Sequence, residues 1–336
     1  MTKKLDSSEK LLSLGIFIAY GMILIMILIG GATRLTGSGL SIVEWRLISG
    51  IFPPLSKAAW QHTFELYQKT PEFLKVNSWM DLESFKNIFW LEYIHRLWGR
   101  ALGLFSLMLL FYGYSISSLR QRYLKPLLIL VGAIASQGIL GWIMVKSGLI
   151  DDPHVSAYRL CVHFLLGAFL LYYTLALAFK VKGNTLQKRR LYYSVLGLLC
   201  LTLAYGAFVA GLKAGLLYNT FPLMDGRVLP EGFWSLHPFY RNFFENHGVV
   251  QFIHRMLAFS VLGLIAFYVI LNRKESKWVW GLGGMVMVQI ILGVLTLLYQ
   301  VPSGLALAHQ GSALILLSLM IVTRLSAKNG VLRESR

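Results

Sequence analysis

Eight apolar runs of about 20 residues each dominate this chain, at roughly 11–33, 93–116, 123–145, 158–181, 192–212, 249–271, 278–299 and 304–324. Each is long enough to cross the hydrocarbon core of a bilayer. Lipid offers no partner for backbone N–H and C=O groups, so a spanning segment is either a helix or a strand in a closed barrel. The runs are continuous rather than alternating, which selects helices. Only 14% of the 336 residues are charged, against about 25% in a typical soluble domain. The mean hydropathy is +0.61. The first run follows "MTKK" without a small-residue cleavage site and is too long for a signal-peptide core. It is expected to stay as a first membrane helix.

The net charge of +17 suggests nucleic acid at first sight. Its distribution points elsewhere. More than half of the 32 Lys and Arg residues fall in the segments 3–10, 120–125, 180–190, 273–277 and 324–336. The positive-inside rule then places both termini and these basic connections in the cytoplasm, and the poorly charged short loops near 146–159 and 299–304 outside. Basic residues split among short loops form no continuous face, so no nucleic-acid partner is expected. The two long segments, 34–91 and 213–248, fall on the outer side. They are rich in Gly, Pro, Trp and Phe and are expected to pack. Cys161 and Cys200 lie inside apolar runs and read as core residues, not as a disulfide or metal pair.

The chain repeats itself. "YIHRLWGRALGLF" (93–105) matches "FIHRMLAFSVLGL" (252–264), "QGILGW" (137–142) matches "QIILGV" (289–294), and "HFLLGAFLL" (163–171) matches "HQGSALILL" (309–317). Two four-helix units follow one another, 1–185 and 186–336. Four crossings return the chain to its starting side, so the repeat is parallel. The fold class expected is all-α integral membrane, with eight helices in two pseudo-symmetric bundles.

His95, His163, His254 and His309 fall one in each even-numbered run, all towards the outer end. Ionisable residues within a membrane span are rare and mostly functional. His62, His154, His237 and His247 lie in or beside outer loops and read as loop residues. One His from each of two facing helices suits a haem iron with two axial imidazoles. Zinc fits less well, because no His/Cys pair has close metal spacing along a helix. Four residues after each histidine stand Gly99, Gly167, Ala258 and Ala313, on the same helical face. Small residues there leave room for a flat macrocycle, and they also suit close helix packing. Arg96, Arg159 and Arg255 are candidates for haem propionates, with snorkelling to headgroups as the competing reading.

The halves differ beside the first histidine of each, where Gly99-Arg100 is matched by Ala258-Phe259 and a glutamate by a glutamine. Glu92 precedes His95 by three residues and Arg96 by four, so it shares their face. Its counterpart is the neutral Gln251. A carboxylate beside a haem edge can transfer protons or stabilise developing positive charge; an Arg96 salt bridge is the alternative. The first half is therefore expected to do chemistry and the second to hold a resident redox haem.

At "GGATRLTGSGLSIVEW" (30–45), "GIFPP" (50–54), "EYIHRLWGR" (92–100), "YRLCVHF" (158–164), "QFIHR" (251–255) and "AHQG" (308–311), the chain resembles the heme A synthase family. It is most similar to the mitochondrial and proteobacterial-like branch, without the loop cysteine pair of the Gram-positive branch. The resemblance implies oxidation of the haem O C8 methyl to a formyl group, giving haem A for terminal oxidases. It implies His95 and His163 as axial residues for haem O, His254 and His309 for a haem b cofactor, and Glu92 as the catalytic glutamate. It also implies haem O synthase and terminal oxidase assembly as partners, in a bacterial inner membrane. An electron donor is implied without being identified, and a homo-oligomer is left open. Two other readings are a di-haem cytochrome b-type electron carrier and a haem-binding transporter. Against the carrier, all four histidines lie towards one face.

Overall fold

The computed structural model describes residues 5–45, 49–149, 153, 155–184 and 190–325. His154 and the expected boundary between the halves, at 185/186, fall outside these residues. Ten α-helices run in chain order among them: α1 (Ser7–Leu35), α2 (Lys57–Gln68), α3 (Leu82–Ser115), α4 (Ser117–Gly148), α5 (Ala157–Val181), α6 (Arg190–Gly211), α7 (Asn242–Glu245), α8 (His247–Asn272), α9 (Lys277–Leu298) and α10 (Ser303–Leu325). No named strand occurs among the described residues. All except α2 and α7 are long and apolar enough to cross a membrane, eight in total. The all-helical, eight-span reading of the sequence holds.

The helix starts are set by short polar residues. Asp6 caps α1 through the Glu9 amide, and Asp81 caps α3 through the Ser84 amide at 2.8 Å. Asn246 caps α8 through Gly248 and Val249, and Ser276 caps α9 through Trp278. Each cap accepts from a backbone N–H that has no partner within the helix.

Within the first four spans, α1 packs on α3 and α5, α3 on α4, and α4 on α5. In the second four, α6 packs on α8, α8 on α9, and α9 on α10. The seam between them is made by α5 against α6 and α10, and by α1 against α10. A core at the seam joins Ala168 of α5 with Val195, Leu199, Ile265, Leu282 and Leu317. A second core, far from the long loops, joins Leu12, Ile16, Leu109, Leu119 and Leu127. At that end Arg122 reaches Glu9 at 2.8 Å, and Arg324 lies over the rings of Tyr192 and Tyr193.

The segment before α3 forms a cap. The helix begins at Leu82, well before the apolar run at 93. Its first turns bury Phe85 and Phe89 against Phe64 and Tyr67 of α2, with Trp60 edge-on to Phe89. Aromatic burial against α2 extends the helix beyond the hydrocarbon span, which hydropathy alone does not register.

Glu72 is buried inside this cap at 8% exposure. Tyr67 Oη donates to its carboxylate at 3.2 Å, and Asn77 Nδ2 donates to Tyr67 Oη at 2.8 Å. Burial raises the Glu72 carboxyl from 4.5 to about 7. The Tyr67 hydrogen bond opposes that rise, and the negative charge of Glu92 adds to it. Between about pH 4.5 and 7 the folded cap holds a proton that the unfolded chain releases. Stability contributed by Glu72 therefore falls as pH rises through that window. At about 1.4 kcal/mol per unit the effect is on the order of 3 kcal/mol. Protection of residues 57–80 from proteolysis is expected to weaken from pH 5 to pH 8 in the parent chain. In Glu72→Gln it should stay flat across that range; an unchanged pH response in this variant would remove Glu72 as the cause.

Candidate active site

A single cavity of about 2230 Å³ runs through the loop-bearing end of the bundle. Ligand sites commonly measure about 300–1,000 Å³, so this one has room for two large ligands. All four histidines singled out in the sequence line it, each from its own helix: His95 on α3, His163 on α5, His254 on α8 and His309 on α10. Gly99, Gly167, Ala258 and Ala313 line it as well. A Cβ on Gly99 would stand 3.2 Å from Met26 and one on Gly167 3.1 Å from Gln137, so side chains of neighbouring helices close over both glycines.

Each imidazole also lies over a glycine of a neighbouring helix. A Cβ placed on Gly30 of α1 would stand 3.1 Å from His95 Nε2. One on Gly141 of α4 would stand 3.4 Å from His163 Cε1. One on Gly206 of α6 would stand 3.2 Å from His254 Cε1, and one on Gly293 of α9 would stand 2.8 Å from His309 Cε1. The backbone of the neighbouring helix forms the floor under each ring, and a hydrogen in place of a methyl group allows the approach. Sequence reasoning missed these four glycines. The signal was present in the "ILG" shared by 139–141 and 291–293.

The rings of His254 and His309 stand 6.5 Å apart between centres, at 89° to one another. Two metal–imidazole bonds of about 2.0–2.1 Å, with about 1.1 Å from nitrogen to ring centre, give about 6.3 Å. The pair therefore fits one metal ion held between two rings. Nδ1 of His163 is buried without a hydrogen-bond partner in the structure. A buried imidazole nitrogen without a partner is costly unless something else occupies it. Among the described residues no group of three or more His, Cys, Asp or Glu side chains comes together to hold an ion. That donor set lacks the four ligands of structural zinc and suits a metal whose remaining ligands belong to a macrocycle.

Gln137 and Gln289 flank the second histidine of each half. Gln137 Nε2 donates to the His163 carbonyl at 3.0 Å, and Gln289 Nε2 lies 3.2 Å from His309 Nδ1. Ser312 Oγ in turn donates to Gln289 Oε1. Four residues after each glutamine is a glycine floor, Gly141 or Gly293, so one helical face supplies both contacts.

Glu92 is 2% exposed and lines the cavity. Ser41 Oγ and the Ile42 amide donate to Oε2 at 2.7 and 2.9 Å. Arg96 donates to Oε1 at 2.6 Å. Arg96 also donates to the Ile42 and Glu44 carbonyls and stands over the Trp45 ring. The salt bridge weighed in the sequence is therefore present, and it ties the loop at 41–45 to α3. In the second half Arg255 donates to Gln251 Oε1 at 3.2 Å and to the carbonyls of Tyr218, Pro222 and Leu223. Gln251 Nε2 donates to Ala214 and Tyr218. The same pair of positions thus ties a loop to a helix in both halves, with a carboxylate in one and an amide in the other.

Arg96 and Arg255 line the cavity. Arg159 does not: it is exposed and is absent from the cavity wall. Arg34 and Arg100 line it too and are absent from the propionate candidates of the sequence, because neither sits in a relation to a histidine that both halves share. Arg34 donates to the Ala210 carbonyl across the seam. Leu104 and Leu107 of α3 and Ile139 of α4 line the cavity too, yet each is more than half exposed on the outside of the bundle. The cavity therefore reaches the apolar surface between α3 and α4.

These features define a polytopic membrane protein that carries four histidines, two of them a facing pair, and the buried carboxylates of Glu72 and Glu92 on the wall of one interior cavity. The chain belongs to the COX15-CtaA family of cytochrome oxidase assembly proteins, which matches residues 14–321. It is similar to the heme A synthase of Nitrosospira multiformis, 42% identical over 330 residues that cover 92% of this chain and 91% of that protein. It is also similar to the heme A synthases of Granulibacter bethesdensis, 46% identical over 90% of this chain and 83% of the other, and of Paramagnetospirillum magneticum, 44% identical over 89% of each. The family resemblance read from the sequence is borne out, and the protein is a multi-pass integral membrane protein of a bacterial inner membrane.

The glycine floors give a graded expectation. Gly293→Ala meets His309 at 2.8 Å and Gly141→Ala meets His163 at 3.4 Å. Overpacking costs about 1–3 kcal/mol, whereas Ala for Gly within a helix gains about 0.8–1 kcal/mol. Thermal unfolding in detergent should show Gly293→Ala clearly destabilised and Gly141→Ala near neutral. Equal melting temperatures for the two variants would remove the ring contact as the reason for glycine.

Proposed function

We propose that the protein is a haem A synthase, oxidising the C8 methyl of haem O to a formyl group in two successive steps, the resulting diol losing water. The observation that carries this reading is one cavity with two pairs of histidines and a carboxylate beside only the first. The relatives' shared name supports it.

In this reading His95 and His163 hold the substrate haem O, and His254 and His309 hold a haem b cofactor, which supplies one-electron redox chemistry when bound. Gly99 and Gly167 lie one turn below these two histidines on the cavity wall. Glu92 is a residue of the reaction itself. With three donors on its carboxylate, it suits stabilisation of positive charge developing at the methyl carbon better than service as a free base. Ser41, Ile42 and Arg96 fix its position before substrate arrives. Arg96 and Arg255 remain propionate candidates, joined by Arg34 and Arg100, and Arg159 drops behind them. The product would serve terminal oxidase assembly, and the substrate would come from a haem O synthase. The two long loops would face the outer side. A di-haem electron carrier is the weaker reading: the cavity gathers all four histidines at one end, whereas transfer across the bilayer calls for haems at both.

The pigments extracted after co-expression with haem O synthase should include haem A or its hydroxymethyl precursor. Haem b and haem O alone would sink the enzyme reading. Glu92→Gln should keep both bis-imidazole spectra and lower formyl product by about 10²-fold or more; normal product in that variant would reduce Glu92 to a loop anchor. His254→Ala should purify without the resident haem b, and an unchanged low-spin haem b spectrum would undo the assignment of the second pair.

A further inference from the structure

One contact crosses the seam between the two histidine pairs. Gln310 follows His309 on α10 and reaches α1. Its Nε2 donates to the Ile27 carbonyl at 3.0 Å. Its amide occupies the space in front of Gly31, where a Cβ would stand 2.5 Å from Oε1 and 2.8 Å from Nε2. Gly31 is joined to Gly30, and Gly30 is the floor under His95. Nearby, a Cβ on Gly311 would stand 3.2 Å from Leu28, and Tyr20 Oη donates to Ser318 Oγ at 2.8 Å. The side chain that matches Gln310 in the first half is Phe164, which is apolar and packs in the seam core. The position after the second histidine is therefore polar in the second half and apolar in the first.

We infer that Gln310 is a positioning residue that couples the two sites: filling the His254/His309 pair fixes α10, and Gln310 thereby fixes the floor of His95. This rests on the haem reading given above. The physical chain is short. A ligand held between His254 and His309 removes rotational freedom from the His309 ring and from the turn that carries it. Gln310 lies in that turn. Its amide bridges a hydrogen bond and a glycine notch, so α1 cannot shift along or around its axis without breaking one of them. A hydrogen bond in the low-dielectric interior resists such movement more strongly than apolar contact does. Binding at one pair then lowers the ordering cost at the other, which is positive coupling between sites.

The test is a thermodynamic cycle on the purified full-length protein, titrated with haem O and read by the low-spin bis-imidazole spectrum of the His95/His163 site. Four chains are compared: the parent with its resident haem, His254→Ala, Gln310→Met and the double variant. Met keeps the length of Gln and removes its hydrogen bond. Loss of the resident haem should weaken haem O binding about fivefold or more in the parent background. In the Gln310→Met background the same loss should change it by less than about twofold, although Gln310→Met itself retains the resident haem spectrum. Gly31→Ala, which displaces the Gln310 amide without touching either histidine, should abolish the coupling in the same way. An equal ratio in parent and Gln310→Met, or no ratio in the parent, overturns the inference. A full complement of resident haem in His254→Ala overturns the reading of the histidine pair, and the coupling with it.

Discussion

The close approach of one helix backbone to each imidazole is the constraint on which the rest of the architecture depends. A histidine ring within a membrane span needs a place that is neither lipid nor a packed apolar core. Here four glycines, Gly30, Gly141, Gly206 and Gly293, bring a neighbouring backbone against each ring. That contact sets the helix spacing at the loop-bearing end. The volume it leaves, together with Gly99, Gly167, Ala258 and Ala313, is the interior cavity. At the far end the helices close on Leu12, Ile16, Leu119 and Leu127, which are almost fully buried. The bundle is thus solid at one end and open at the other, and the difference follows from side-chain size.

Much of this was legible in the sequence because the membrane simplifies the problem. Apolar length gave eight spans, and all eight are helices. The histidines stood out because polar groups in such spans are rare, and all four reach one cavity. The glycine floors were only partly legible: the "ILG" shared by 139–141 and 291–293 marks two of them without pairing either to its histidine. Each lies on a helix other than that of its histidine, and glycine is common in membrane helices for ordinary packing. Arg159 shows the opposite failure. Its place four residues before His163 suggested a shared face, yet it lies at the exposed start of α5 and does not reach the cavity wall. The early start of α3 was hidden for a third reason: Phe85 and Phe89 are buried by α2 rather than by lipid.

The difference between the two halves is small in chemistry and large in consequence. Glu92 with Arg96 and Gln251 with Arg255 occupy like places and hold like loops. Replacing the amide by a carboxylate leaves the mechanical role in place and adds one buried negative charge beside His95. Arg96 and the Ile42 amide compensate that charge, whose burial alone would cost several kcal/mol. The latch in one half is uncharged on its acceptor side, and in the other it is an ion pair. Gln310 against Phe164 is a second such difference between matching stretches of sequence.

The opening between Leu104, Leu107 and Ile139 places the mouth of the cavity in the hydrocarbon layer. An apolar ligand arriving there is counted per unit area of bilayer, not per litre of water. Diluting the protein with buffer leaves that surface density untouched, whereas diluting it with detergent or lipid lowers it. Saturation of such a site is a property of the membrane in which the protein sits, and affinities expressed in molar units describe the partition of the ligand as much as the protein.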